Sequence, residues 1–354
     1  MSTITTNTHA FNRSHAGRLR FWLKRSVLGM LIVLIVLSGV GFAYQAVATA
    51  LDRRAFPAPG QLVDVGGYRI HLHTKGENQG NPTAILIACG GCTSANWGWV
   101  QGALARYTRV VAYDRAGFGW SDVGPAPRDA LQNVRELHTA LGRAGIAGPY
   151  VLVGHSLGGP LARVYAGQYP DEVVGMVLID PRHPDKDTRF PPEAQAKSQS
   201  EARMIALLRV LARFGVLRLT DQGKEHQLPP QQNASSNAFQ ASTRHWDSIA
   251  AEAAVIAATD AETRSAGSLG RLPLAVISAD TAWWTTGAPA DATRLLYTQL
   301  NREQAALSSN SIHRVVVGAS HTSLVNNREH AQTTIALIRQ VVEAARTEKP
   351  LVSQ

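Results

Sequence analysis

Tyr150-Val151-Leu152-Val153-Gly154-His155-Ser156-Leu157-Gly158-Gly159 is the stretch on which the reading of this chain turns. A short apolar run stops at Gly154, Ser156 stands two residues on, Gly158 follows, and Leu161 to Tyr169 reads as a helix. G-x-S-x-G between a strand and a helix is the context in which that pattern carries chemistry. The reason is steric. The chain must turn so sharply at Ser156 that a Cβ at either flanking glycine would collide. The turn lifts the Ser156 hydroxyl clear of the sheet and aims the Leu157 N–H at the place where an oxyanion would form. Pro160 falls in the first helical turn, where a missing N–H costs nothing. The plain alternative is a glycine-rich turn with an idle serine.

Working outward, strand and helix patterns alternate. Leu62–Val65 and Tyr68–His73 flank Gly66-Gly67 and predict a hairpin. Thr83–Ala88, Thr108–Tyr113, Val174–Ile179, Leu274–Ser278 and His313–Val317 predict further strands. Ala130–Leu141, Ala292–Leu307 and Arg328–Arg346 carry helical periodicity. Such alternation predicts a mostly parallel sheet with helices on both faces. Residues 181–270 break it with polar, proline-containing loops and helical segments. In Ala202–Leu219 the apolar stripe Met204, Leu207, Leu208, Leu211 and Phe214 is predicted to pack on the core, and Arg203, Arg209, Arg213 and Arg218 are the only charges. Contact with an anionic membrane surface is the sharper alternative.

From about Gln61 to Arg346 the sequence resembles the α/β-hydrolase superfamily. The elbow carries the resemblance, with Tyr113-Asp114-Arg115-Ala116-Gly117-Phe118-Gly119-Trp120-Ser121-Asp122, a turn whose Asp114 is read as capping nearby N–H groups. The resemblance implies an α/β-hydrolase fold: an eight-stranded, mostly parallel sheet with a helical cap over residues 181–270. It also implies a serine nucleophile, Ser156, and a base on the loop after the last strand. That base is His321, in Gly318-Ala319-Ser320-His321-Thr322. The order Ser, acid, His is respected, and two acids are open. Asp280 follows Leu274–Ala279, but the usual register would place the acid at Ala282. Asp180 ends Val177-Leu178-Ile179, where some members carry it. Two backbone amides are implied for the oxyanion, Leu157 and Gly91. The latter lies in Cys89-Gly90-Gly91-Cys92, where members often have His in place of Cys89. Trp283 and Trp284 are candidates for the pocket mouth, with core or cap packing as the alternative.

The chain has 354 residues and a net charge of +9. Arg13, Arg18, Arg20, Lys24 and Arg25 supply five of those charges, with no acid before residue 26. The remainder is mildly basic and shows no nucleic-acid footprint. Residues 1–25 are expected to be a basic, disordered cytoplasmic tail. Residues 26–51 hold no charged side chain and are long enough for a transmembrane anchor. A signal peptide is the rival, given Ala48-Thr49-Ala50. Charge asymmetry predicts a cytoplasmic N-terminus and a catalytic domain on the other side. Residues 52–60 are a linker, and residues 61–180 and 271–348 are the two parts of the hydrolase core. Cys89 and Cys92 are the two cysteines. C-x-x-C allows a redox or metal reading, but no further cysteine completes a zinc site. Two small buried residues, or a disulfide if the domain is exported, are the alternatives.

The expectation is a membrane-anchored serine hydrolase acting on a small-molecule carboxylic ester, without cofactor or metal. Serine at the elbow sets it apart from dehalogenases and epoxide hydrolases of the superfamily, which use Asp there. Amide or lactone hydrolysis, acyl transfer, and a ligand-binding or sensory module on the same scaffold are the alternatives. Oligomeric state is not legible.

Overall fold

The computed structural model describes residues 9–220, 227–281 and 289–351. Trp283 and Trp284 lie outside them. Eight strands form one sheet: β1 (Gln61–Asp64), β2 (Arg69–Lys75), β3 (Thr83–Ile87), β4 (Val110–Asp114), β5 (Tyr150–His155), β6 (Val173–Ile179), β7 (Leu274–Thr281) and β8 (Ser311–Ser320). Their spatial order is β1-β2-β4-β3-β5-β6-β7-β8. The hairpin β1–β2 and the β2–β4 pair are antiparallel, and every other pair is parallel. The fold is the expected eight-stranded α/β-hydrolase sheet.

Alternation along the strands builds a core on each face. Ile85, Ile87, Leu152, Leu178 and Val276 point to one side, where helices Ala130–Arg143 and Gly158–Gln168 bring Leu137 and Tyr165. Leu86, Val151, Val153, Val177 and Ile277 point to the other, against Leu104 of Gly98–Leu104 and Ile338 of His330–Thr347. Central parallel strands buried on both faces read as continuous apolar runs, which is how β3 and β5 looked in sequence.

Between β6 and β7 the chain leaves the sheet for helices Pro192–Arg213, Pro230–Gln240, Thr243–Ala254 and Ile256–Ser265. The first differs from expectation. It ends at Phe214 because Gly215 takes a left-handed conformation (φ 70°), and Val216–Leu219 forms a separate turn. Its apolar stripe does not all pack on the core, for Met204 and Leu207 are 53% and 51% exposed.

The N-terminal segment also differs. One helix runs His9–Ala55, so residues 9–25, expected to be disordered, continue the apolar helix. No proline interrupts the stretch, and helix formers such as Leu19, Leu23, Lys24 and Arg25 lead into it. Arg18–Ala55 contains an apolar window of mean hydropathy 2.5 with none of it buried, the composition of a candidate membrane span.

Candidate active site

The elbow has the shape its glycines predict. Ser156 stands at φ 55°, in the left-handed region a non-glycine residue rarely occupies. A Cβ on Gly154 would come 2.3 Å from the Gly158 carbonyl oxygen, and one on Gly158 would come 2.1 Å from that of Ile87. The strained backbone is pinned by its neighbours. The Ser156 N–H donates to Ile179 O at 2.9 Å, and Ser156 O accepts from Gly159 N–H and Arg182 N–H, each at 3.0 Å.

Ser156, Asp180, His321, Gly91 and Leu157 all border one cavity of about 770 Å³. It lies between the carboxyl ends of the strands and the helices inserted after β6, where open α/β sheets hold their ligands. Phe190, Ile205, Trp246, Ile249 and Leu300 make much of its wall apolar.

Of the two carboxylates the sequence left open, Asp180 meets the imidazole. Its Oδ2 lies 2.5 Å from His321 Nδ1. Asp180 ends β6 at φ 44° and is buried. Its N–H donates to Ile277 O at 2.6 Å, and its Oδ1 accepts from Ala279 N–H at 3.0 Å. Both partners belong to β7, so the side chain is held across the end of β7 towards the loop after β8. Burial opposes the charge of Asp180, but hydrogen bonds from His321, the Tyr297 hydroxyl and Ala279 N–H hold its carboxyl below the usual range. Asp280 instead stays within β7, and its Oδ2 accepts from Gly318 N–H at 3.3 Å. Ser156 Oγ and His321 share the cavity without a hydrogen bond between them.

The loop after β3 carries the other predicted groups. Gly91 adopts φ 72°, and a Cβ there would come 3.1 Å from Ile249 Cδ1. Cys89 and Cys92 are joined by a disulfide, with Cα atoms 5.0 Å apart. Among the described residues, neither the Gly91 nor the Leu157 N–H has a protein acceptor. Asp114 is buried as a cap: it accepts from Ser94 N–H (2.6 Å) and Trp120 N–H (3.1 Å) and meets His71 Nδ1 at 2.8 Å.

Several residues around the cavity were not singled out by sequence. Arg115 is buried and donates to Ala88 O (2.8 Å) and Cys89 O (2.9 Å). It also binds Glu252 of helix Thr243–Ala254 in a bidentate pair at 2.6 and 3.1 Å. One guanidinium thus fixes the Gly90-Gly91 loop and ties the inserted helices to it. His155 Nε2 donates to His321 O at 3.0 Å, and its ring packs on the His321 ring at 4.7 Å between centroids. Burial pushes His155 down to about 3, so it is neutral. His245 borders the cavity beside Gly91. Burial lowers it to about 3 as well, and its Nδ1 has no partner among the described residues. The signals here were faint. Arg115 follows a strand-ending Asp in a recognisable turn, but nothing marks Glu252, 137 residues later, as its partner.

A family model described as the Alpha/beta hydrolase family matches residues 84–336. Among curated proteins, YqjL of Bacillus subtilis is 32% identical over 136 residues, covering 38% of this chain and 54% of that protein. The 2-hydroxy-6-oxo-2,4-heptadienoate hydrolase of Pseudomonas putida is 35% identical over 127 residues, 34% of this chain and 44% of the other. The chain spans 54% of the length of YqjL, 44% of the Pseudomonas putida hydrolase and 17% of a vacuolar membrane protein of Saccharomyces cerevisiae that it also matches. A solved thermophilic esterase from Thermogutta terrifontis superposes with a TM-score of 0.58 at 20% identity, covering 79% of this chain and 97% of the other. At that identity the likeness speaks for the fold alone.

Proposed function

The chain belongs to the alpha/beta hydrolase family, and on that premise we propose that it is a serine hydrolase acting on a carboxylic ester. One observation carries the reading. The Asp180–His321 pair, at 2.5 Å, borders the same cavity as a serine held at φ 55° on a strand-to-helix elbow. The three groups follow three different strands, β5, β6 and β8, and border one cavity, and a strained non-glycine residue at such a place supports a functional reading.

The roles follow from the chemistry. Asp180 holds the imidazole with its proton on Nδ1, leaving Nε2 to accept. His321 Nε2 takes the Ser156 proton as Oγ attacks the acyl carbon. The carbonyl oxygen becomes an oxyanion opposite the Gly91 and Leu157 N–H groups. Collapse expels the alkoxide, which takes the proton from His321 and leaves an acyl-enzyme. Water, deprotonated by His321, then attacks the acyl carbon, and Ser156 Oγ leaves with the proton from His321 as the carboxylic acid is released. On this reading the Ser156–His321 hydrogen bond, absent without substrate, forms when substrate fills the cavity, since catalytic hydrogen bonds often close only in the complex. Neutral His155, bonded to the His321 carbonyl, keeps a second positive charge away from the imidazolium.

We also read helix His9–Ala55 as a retained membrane anchor, with Arg18, Arg20, Lys24 and Arg25 on the cytoplasmic side and the hydrolase domain opposite. The docking of this helix on the folded domain upstream of Ala48-Thr49-Ala50 supports retention over cleavage: Gln45 is buried and donates to Ala241 O at 2.9 Å.

A fluorophosphonate probe tests the hydrolase reading. One mole of label per mole of protein on Ser156, lost in Ser156→Ala, is expected; unlabelled wild type overturns it. An alkaline-phosphatase fusion after Arg54 tests topology, and an inactive fusion reverses the orientation.

A further inference from the structure

The apolar helix and the inserted helices share an interface, and its level along the helix can be fixed. The last basic residue before the apolar run is Arg25. About 20 residues at 1.5 Å each cross the hydrocarbon core, which puts the far boundary near Gln45. That is where the helix meets the insertion. Gly41 passes so close to Phe214 that a Cβ would come 2.7 Å from its carbonyl oxygen, and Tyr44 lies against Gly215 in the same way. Gln45 donates to Ala241 O at 2.9 Å and accepts from Arg218 Nε at 2.7 Å. Arg218 continues to Thr49 at 3.1 Å and to Asp52 at 2.7 Å. The turn at Phe214–Arg218 therefore sits at the depth of the membrane surface if the helix spans the membrane.

Helix Pro192–Arg213 ends at that turn. Val210, Leu207 and Met204 lie one to three turns before Phe214, within about 15 Å of the crossing. They are 50%, 51% and 53% exposed and share one outward face with exposed Arg203, while Leu219 just past the turn is 79% exposed. Arg209 and Arg213 are not part of this face's charge, because both are paired with Asp247. Glu201, Ala202 and Ile205 of the same helix border the Ser156 cavity. One helix thus has the cavity on one side and unburied apolar side chains on the other, at bilayer height.

We propose that this outer face (Met204, Leu207, Val210, with Leu219) lies in the headgroup–acyl boundary of the membrane that holds the anchor, and that the cavity beneath receives an amphiphilic ester from that bilayer. The proposal rests on the serine-hydrolase and anchor readings above. The occupant is lipid because the face continues an interface with the membrane-spanning helix itself. Partial burial of apolar side chains beside a cation is also how interfacial helices bind lipid. The cavity, about 770 Å³ and largely apolar, has room for a fatty acyl chain.

The test uses full-length protein in phosphatidylcholine–phosphatidylglycerol vesicles. With Cys89 and Cys92 paired, Leu207→Cys supplies a unique thiol for an environment-sensitive fluorophore. Leu34→Cys in the apolar helix and Val123→Cys on the core surface, 63% exposed, are the controls. The label at 207 should be quenched by spin-labelled lipid and shielded from aqueous iodide, like 34 and unlike 123. Iodide access at 207 with lipid quenching at 34 overturns the proposal and leaves the anchor standing; iodide access at both removes the anchor reading too. Shielding at 207 without lipid quenching, with cross-linking between copies, means a second copy covers the face, which also overturns it. For substrate, Leu207→Glu/Val210→Glu should keep turnover of dispersed p-nitrophenyl acetate within about twofold and lose about tenfold or more on a long-chain monoacylglycerol in the same vesicles. Equal losses on both overturn the proposal. No Ser156-dependent hydrolysis of either ester by wild type would instead remove the hydrolase reading beneath it.

Discussion

Replacing Asp180 by Asn keeps the size of the side chain and reverses one hydrogen-bonding preference. The carboxylate now sits 2.5 Å from His321 Nδ1 and can only accept, so the imidazole carries its proton there. An amide offers an N–H instead and stabilises the tautomer protonated on Nε2, the atom that must accept from Ser156. Wrong-tautomer variants of such triads lose about 10⁴ in kcat, equivalent to about 5.4 kcal/mol of transition-state stabilisation. Asp280→Asn changes far less. Among the described residues its side chain makes one bond, at 3.3 Å to Gly318 N–H, which survives in the amide oxygen, and the expected change is under about twofold. The assay is kcat on p-nitrophenyl butyrate, with circular dichroism and thermal unfolding showing that each variant is folded. Folded Asp180→Asn within tenfold of wild type would refute the argument, as would an equal loss in Asp280→Asn.

Gly158→Ala should abolish soluble expression or lower Tm by more than 10 °C, since its Cβ must displace the Ile87 carbonyl at 2.1 Å. Gly142→Ala, in a helix with open space around it, should gain about 0.5–1 kcal/mol, and equal Tm values for the two would contradict the steric reading of the elbow. Arg115→Met leaves Glu252 buried without its cation and frees the Ala88 and Cys89 carbonyls, so urea unfolding should show a loss of about 3–5 kcal/mol. Arg115→Met/Glu252→Met should recover part of that loss; a double variant no better than the single removes the buried pair as the cause. Stability should also fall as pH drops below about 6.5, because the unfolded chain then protonates histidines that the fold holds neutral down to about 3, His155 and His245. Each removes about 2 kcal/mol at pH 5 relative to pH 8. His73, lowered to about 4 by burial, adds a similar loss; urea midpoints at the two pH values, with His245→Phe recovering about 2 kcal/mol of the difference, check this.

What was legible in sequence was local, and what was not depended on distant partners. The elbow could be read because part of its constraint is local: a Cβ at Gly154 strikes Gly158 itself, although the constraint on Gly158, the Ile87 carbonyl of β3, could not be seen in sequence. The strands of the sheet centre could be read because burial on both faces leaves a continuous apolar run. The choice of acid could not. Asp180 and Asp280 each end an apolar strand, and what separates them is that β6 lies one strand further from β8. A side chain at the end of β6 must cross β7 to reach His321. The N–H of Ala279 holds it on that path at 3.0 Å, a bond made across 99 residues. The same logic explains the misreadings. A helical stripe reports that apolar residues share a face, not what covers it, so Met204 and Leu207 looked like core. The packing of Gly41 on Phe214 and of Tyr44 on Gly215 shows that their helix ends beside the apolar N-terminal helix. Charged residues are the hardest of all, because exposure is the ordinary expectation for them. Arg115 is buried only because Glu252, two backbone carbonyls and the Phe118 ring 4.9 Å away together replace its water. Buried charge placed in this way, on the loop that carries Gly91, holds that loop: an apolar pair could pack there but could not donate to the Ala88 and Cys89 carbonyls.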